Sequence, residues 1–128
     1  MLRFLMRAIA MLPLPALHAV GALLGWLVYL ASPTYRRHLK ENLASAGYDD
    51  AVLRRAAIAA AGKMVTELPA IWFRPRGAVL GLVQSLQGES SIEAARAAGK
   101  GIVFLTAHLG CFEVTAQLAA ARMPITVL

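Results

Sequence analysis

Between Ala8 and Tyr35 the chain carries no Asp, Glu, Lys or Arg. A stretch this long must be covered by other elements or lie against lipid, which constrains the fold more than any other feature. As one helix it would run about 42 Å, beyond the roughly 30 Å hydrocarbon core of a bilayer. Pro13 and Pro15 interrupt its start, because each removes a backbone donor and stops or kinks a helix. A helix beginning only after Pro15 and ending at Ala31 covers about 25 Å, slightly short. A tilted span and a monotopic insertion both fit that length. A secretory signal fits less well, since its apolar region is about 7–15 residues and Pro33 follows Ala31-Ser32. The expectation for residues 1–35 is an uncleaved N-terminal membrane anchor.

Composition agrees. Of 128 residues, 59% are hydrophobic and 16% charged, against roughly 45–50% and a quarter in soluble domains. The formal charge of +6 calls for an anionic partner. Basic residues flank the apolar segment: Arg3 and Arg7 before it, and Arg36, Arg37 and Lys40 after it. That arrangement favours acidic headgroups at a membrane surface over nucleic acid, which would want cations interleaved with aromatics on a soluble face. The denser cluster at Arg36-Arg37-His38-Leu39-Lys40 places the downstream part in the cytoplasm. The single cysteine, Cys111, excludes an intramolecular disulfide and fits a reducing compartment.

Inside the anchor, Gly21 and Gly25 match the small-xxx-small packing pattern, for which a homodimer is one reading. His18 reads as a neutral side chain near the interface or facing another helix. Residues 36–77 read as a helical, membrane-proximal segment. A short helix over 36–46 ends near Gly47. A longer one, capped by Asp49 or Asp50, then runs to about Phe73 with Pro69 inside it. Leu53, Ala57, Ile58, Ala61, Met64, Val65 and Leu68 recur along it at helical spacing.

After Arg74-Pro75-Arg76-Gly77 the pattern changes. Val79 to Leu86 is short, apolar and strand-like. Ser90-Ser91-Ile92-Glu93 has the form of a capping box, opening a helix that Gly99 stops. A strand over Gly101–Ala107, a helix from about Cys111 to Arg122, and Ile125–Leu128 after Pro124 complete a β-α-β-α-β order. The predicted class is therefore α/β: a membrane helix, further helices, and over 78–128 the start of a parallel sheet with right-handed crossovers. The last strand stops without a cap or turn, so the expectation is the N-terminal portion of a longer, incomplete domain.

One stretch carries candidate chemistry. Ile102 to Leu105 delivers His108 to the end of an apolar run, Gly110 follows, and Glu113 stands five residues after the histidine, where a helix should open. Open α/β sheets place reactive groups at such ends. On the residues alone two readings stand. Glu113 is either a first-turn helix acid favoured by the dipole beside a loop histidine, or the partner of a general base. In the second, neutral His108 takes a proton from an attacking hydroxyl, and the carboxylate orients the ring and stabilises the imidazolium. Backbone amides around Leu109, Gly110 and Cys111 would then hold an oxyanion or a phosphate. Cys111 suits a small packed thiol better than a nucleophile, because no third orienting group accompanies it. His108 and Glu113 are too few for a metal site, so no metal and no cofactor are expected. Lys100-Gly101 lacks the order of a phosphate-binding loop. Arg122 and Lys63 read as solvated surface residues.

At these residues, Gly99-Lys100-Gly101-Ile102-Val103-Phe104-Leu105 and His108-Leu109-Gly110-Cys111-Phe112-Glu113, the chain resembles the bacterial lipid A biosynthesis acyltransferases, the lauroyl and myristoyl transferases. These belong to the wider glycerolipid acyltransferase group with a His-x4-Asp/Glu motif. Arg36-Arg37, Asn42-Leu43, Glu67 and Trp72 fall where that family has similar residues. The resemblance covers nearly the whole chain but only about the first half of a typical member. It implies a membrane anchor with a catalytic part facing the cytoplasm at a bacterial inner membrane. It further implies transfer of a fatty acyl group from acyl carrier protein, or acyl-CoA, to a hydroxyl of a lipid A precursor in lipopolysaccharide biosynthesis. His108 would be the general base and Glu113 its orienting carboxylate. Ala107 stands where phospholipid-making relatives have Asn before the His, which agrees with this branch. Acylation of a lysophospholipid or another lipid, and a non-catalytic lipid-binding protein, are the alternatives.

Overall fold

The computed structural model describes residues 1–48, 50–107 and 110–126. Among them are seven helices and no strand: α1 (Leu2–Ala10), α2 (Leu14–Ala31), α3 (Pro33–Ser45), α4 (Ala51–Phe73), α5 (Arg76–Leu80), α6 (Glu89–Ala97) and α7 (Glu113–Arg122). They form two compact units, Met1–Arg74 and Pro75–Leu128.

In the first unit the prolines set the boundaries. α1 closes at Met11, and Pro13, at φ −57° and ψ 144°, starts α2 with Pro15 in its first turn. There a missing amide donor costs nothing. α2 is long and apolar enough to cross a membrane by length and composition. Ser32 ends it and begins α3, its hydroxyl accepting from the Tyr35 amide at 3.2 Å. α3 stops before Gly47, which sits at φ +80°. Of the two aspartates, Asp50 caps α4: its carboxylate accepts from the Val52 and Leu53 amides at 3.2 and 2.9 Å. Those two bonds hold its pKa below the ordinary 3.8, the Leu53 bond contributing most. Asp49 lies outside the described residues.

The main packing in this unit is α2 against α4. Leu17, Gly21, Gly25 and Tyr29 are buried on α2, and Ile58 and Gly62 on α4. The four-residue steps keep small residues on one line of each helix. A Cβ on Gly21 would come within 2.6 Å of the Lys63 Cα, and one on Gly62 within 2.6 Å of the Gly25 amide nitrogen. No real Cβ fits at such distances, so the backbones touch because both sides are glycine. The Gly21-xxx-Gly25 pattern is thus satisfied within the chain. Thr66 adds an interhelical hydrogen bond, its hydroxyl donating to the Leu17 carbonyl at 2.8 Å. The packed line of α4 differs from the expected apolar face: Leu53, Met64 and Val65 are 38%, 38% and 58% exposed.

The second unit corrects the α/β class. The parallel β-α-β-α-β sheet expected over 78–128 is absent from the described residues. Val79 and Leu80 close α5, and Val79 is fully buried as a helical residue, with α7 packed on α5. Pro75, at φ −54° and ψ 138°, sets the helical entry. Gly101–Ala107 forms no ladder, and its Val103 and Leu105 are 85% and 93% exposed. Ile125 and Thr126 are irregular, and Val127 and Leu128 lie outside the described residues. An apolar run marks a segment able to pair, but a strand exists only when a second backbone bonds to it. The capping box also fails. α6 starts at Glu89 behind Gly88, at φ +81°, with no side-chain cap, so Ser90 already stands inside the first turn.

Candidate functional site

Two glycines in the left-handed region mark the stretch from Gly99 to Glu113: Gly99 at φ +65° opens it and Gly110 at φ +58° precedes the entry to α7. Gly99 stops α6, its amide donating to the Arg96 carbonyl at 3.0 Å. Gly110 turns the chain toward α7. Cys111 and Phe112 form the entry turn: the Val114 amide donates to the Cys111 carbonyl at 3.1 Å and the Thr115 amide to the Phe112 carbonyl at 3.0 Å. The Thr115 hydroxyl bonds the same Phe112 oxygen at 2.5 Å. α7 therefore opens two residues later than expected, on Glu113 itself.

That start places the Glu113 carboxylate at the positive end of the α7 dipole, where an anionic side chain is favoured. Glu113 and Cys111 are half-buried and Gly110 is exposed. His108 and Leu109 lie outside the described residues, so the base of the expected dyad and the first of its three amide contacts have no described position. At the far end of α7, Arg122 pairs with Glu89 of α6, which gives this arginine a structural contact. No three His, Cys, Asp or Glu side chains among the described residues converge to hold a metal ion.

The expected membrane-surface cations belong to the first unit. Arg36, Arg37 and Lys40 all fall on α3, Arg36 half-buried and the other two exposed. Arg37 lies 3.7 Å from Glu41 one turn on, in an exposed pair that solvent leaves weak. Lys40 lines an open hollow with Glu41, Leu43, Ala44, Tyr48 and Arg54.

Two polar contacts of this unit have no sign in the linear pattern. Arg74, just past α4, donates its Nε to the Ala10 carbonyl at 2.8 Å and a terminal nitrogen to the Leu12 carbonyl at 2.6 Å. It satisfies carbonyls left over where α1 ends. His18 faces α4, as one of its readings had it, with Nε2 2.6 Å from Glu67 Oε1. That approach is not aligned as a hydrogen bond, and His18 Nε2 is buried without a directed partner. The small-residue spacing at 21 and 25 was the signal for a close helix here. Nothing in the linear pattern named Glu67 as what it would bring.

The chain matches, over residues 1–128, the family described as bacterial lipid A biosynthesis acyltransferase. No curated protein and no solved structure matches it.

Proposed function

The chain belongs to the bacterial lipid A biosynthesis acyltransferase family, and from that premise we propose that it moves a fatty acyl group from the thioester of acyl carrier protein to a hydroxyl of a lipid A precursor. The family match gives it an acyltransferase role in lipid A biosynthesis. The donor, the acceptor hydroxyl and the roles of His108 and Glu113 are our reading. The observation that carries it is the opening of α7 on Glu113, directly after the Gly110-Cys111-Phe112 turn and five positions after the only histidine of that unit.

In this reading neutral His108 accepts the proton of the lipid hydroxyl as its oxygen attacks the thioester carbonyl. The C–O bond forms, the carbonyl becomes an oxyanion, and backbone amides near Gly110 and Cys111 stabilise it. When the intermediate collapses, the C–S bond breaks and the imidazolium returns its proton to the leaving thiolate. Glu113 stays ionised, fixes the ring tautomer and lowers the energy of the imidazolium. The chemistry needs neither metal nor cofactor. We place the protein at the bacterial inner membrane with the catalytic part facing the cytoplasm. The apolar α2 and the basic α3 support a membrane seat.

A transfer assay on membranes carrying the chain tests this, with acyl carrier protein thioester and a lipid A precursor as substrates. Wild type is compared with His108→Ala and Glu113→Gln. Loss of product in both variants, with membrane association kept, is the expected result. Equal activity in all three would sink the dyad. Binding of anionic lipid without any transfer by the wild type would favour a non-catalytic lipid-binding protein.

A further inference from the structure

We infer that the unit Met1–Arg74 seats on anionic phospholipid as a monotopic platform, with α2 lying along one leaflet instead of crossing the bilayer. The inference begins with the two faces of α2. Outward, Val20, Leu23, Leu24, Leu27, Val28 and Leu30 are all 44–62% exposed. They form an aliphatic surface with no polar group on it. α1, packed against α4, exposes Phe4, and Met11 follows at its end, 81% and 85% exposed, with Arg3 and Arg7 on the same helix. Inward, the small-residue face is filled by α4.

The register of that packing argues against a span. Gly21, the eighth of the 18 residues of α2, lies against Lys63, and His18 against Glu67. If α2 crossed the bilayer, α4 would carry a lysine to nearly the middle of the hydrocarbon and a carboxylate about one turn away. Charges at that depth are costly and rare. With α2 lying flat, its aliphatic face meets acyl chains and α4 rides on the opposite side. Lys63, Glu67, Arg54 and Arg55 then stay at headgroup level. A length of roughly 27 Å, at the low end for a span, points the same way.

Charge selects the lipid. Residues 1–74 hold nine Lys and Arg against four Asp and Glu, counted from the sequence. Arg3 and Arg7 sit on α1, and Arg36, Arg37 and Lys40 on α3, immediately after α2. Basic residues beside an interfacial apolar surface draw anionic headgroups. A second copy of the chain suits this face less well. Helices associate in lipid through small residues that let backbones approach, and Gly21 and Gly25 are already occupied by Gly62 and its neighbours. The inference shares with the proposed function the premise that this unit contacts the membrane, and needs none of its catalysis.

Labelling of the full chain in cells tests it. In a Cys111→Ser background, Arg3→Cys and Ala46→Cys place single thiols at exposed positions before and after α2. A membrane-impermeant maleimide is applied to spheroplasts and to inverted membrane vesicles, with detergent-solubilised membranes as full labelling. The expected result is that both thiols react from the same side, each at least several-fold more in inverted vesicles. Reaction of the two thiols from opposite sides would overturn the single-leaflet seat. Recovery of the chain in the soluble fraction would overturn the lipid contact itself, whatever the transfer assay gave. Oxidative cross-linking of Leu27→Cys into a dimer would assign the outward face to a second copy and also overturn it. Because labelling does not depend on turnover, an inactive protein with both thiols on one side would refute the acyltransfer reading alone.

Discussion

The Thr66 hydroxyl of α4 donates a 2.8 Å hydrogen bond to the Leu17 carbonyl of α2, 49 positions away. Its other acceptors, the Lys63 and Gly62 carbonyls at 3.0 and 3.3 Å, lie on its own helix. The single proton therefore divides between holding the helix pair and back-bonding α4. Thr66→Val keeps the shape and removes the donor, and should cost about 1 kcal/mol. Thr66→Ser should recover most of it. Thermal unfolding of the detergent-solubilised chain, followed by near-UV circular dichroism, reads the difference.

Gly62→Ala should destabilise by about 1–3 kcal/mol, as overpacking does in a filled core, because the added methyl meets the Gly21 and Gly25 backbone. Gly77→Ala, inside α5 with open space around it, should be neutral or stabilising by up to about 1 kcal/mol. Equal effects at the two sites, measured in one denaturation series, would refute the contact between α2 and α4.

Arg74→Ala should free the turn at residues 10–12 by leaving two carbonyls without their guanidinium. Arg74→Lys should restore only part, since an ammonium lacks the planar fork that reaches both oxygens. Hydrogen exchange in α1 is the readout, with faster exchange in Ala than in Lys than in wild type.

The lowered pKa of Asp50 gives the start of α4 a pH dependence. Its ionised carboxylate caps the folded helix, so the cap's contribution is complete above the unfolded value near 3.8. It is lost as pH falls through the lower folded-state value. Asp50→Asn, which still accepts hydrogen bonds, should keep the cap and flatten the acid limb. Amide exchange at Val52 and Leu53 across pH 2 to 5, a window spanning about two units below the free carboxylate, checks both statements.

On the proposed mechanism, His108→Ala should reduce transfer by about 10²–10⁴-fold, the usual contribution of a general base. Glu113→Gln should lower the rate while leaving acceptor binding near wild type, because it acts through the imidazole. A kcat and KM pair for each variant makes the comparison.

Local chemistry made the first unit readable. Pro13, Pro15, Gly47 and Asp50 act within a few residues of where they stand, and the helices over 14–31, 33–45 and 51–73 start or stop on them. What failed depended on distant partners. The apolar runs at 79–86 and 101–107 resemble strands, yet pairing requires another backbone that neither run supplies, and Val79 found its cover inside a helix. Gly21 and Gly25 announced a close neighbour without naming it. The reciprocal sign was Gly62, alone among the alanines of α4, where nothing else explains a glycine in a helix interior. At the candidate site the placement of Glu113 was legible to within two residues, because a glycine turn before an alanine-rich run marks a helix start.

The glycine contact also sets an order of events during synthesis. α2 ends at Ala31 and α4 at Phe73, so roughly 40 residues are added after the first helix is made before its partner is complete. At about 5–20 residues per second that leaves an interval of a few seconds. During it the small-residue face of α2 stands without the glycine that fills it in the finished unit, and it closes only once Gly62 has been added.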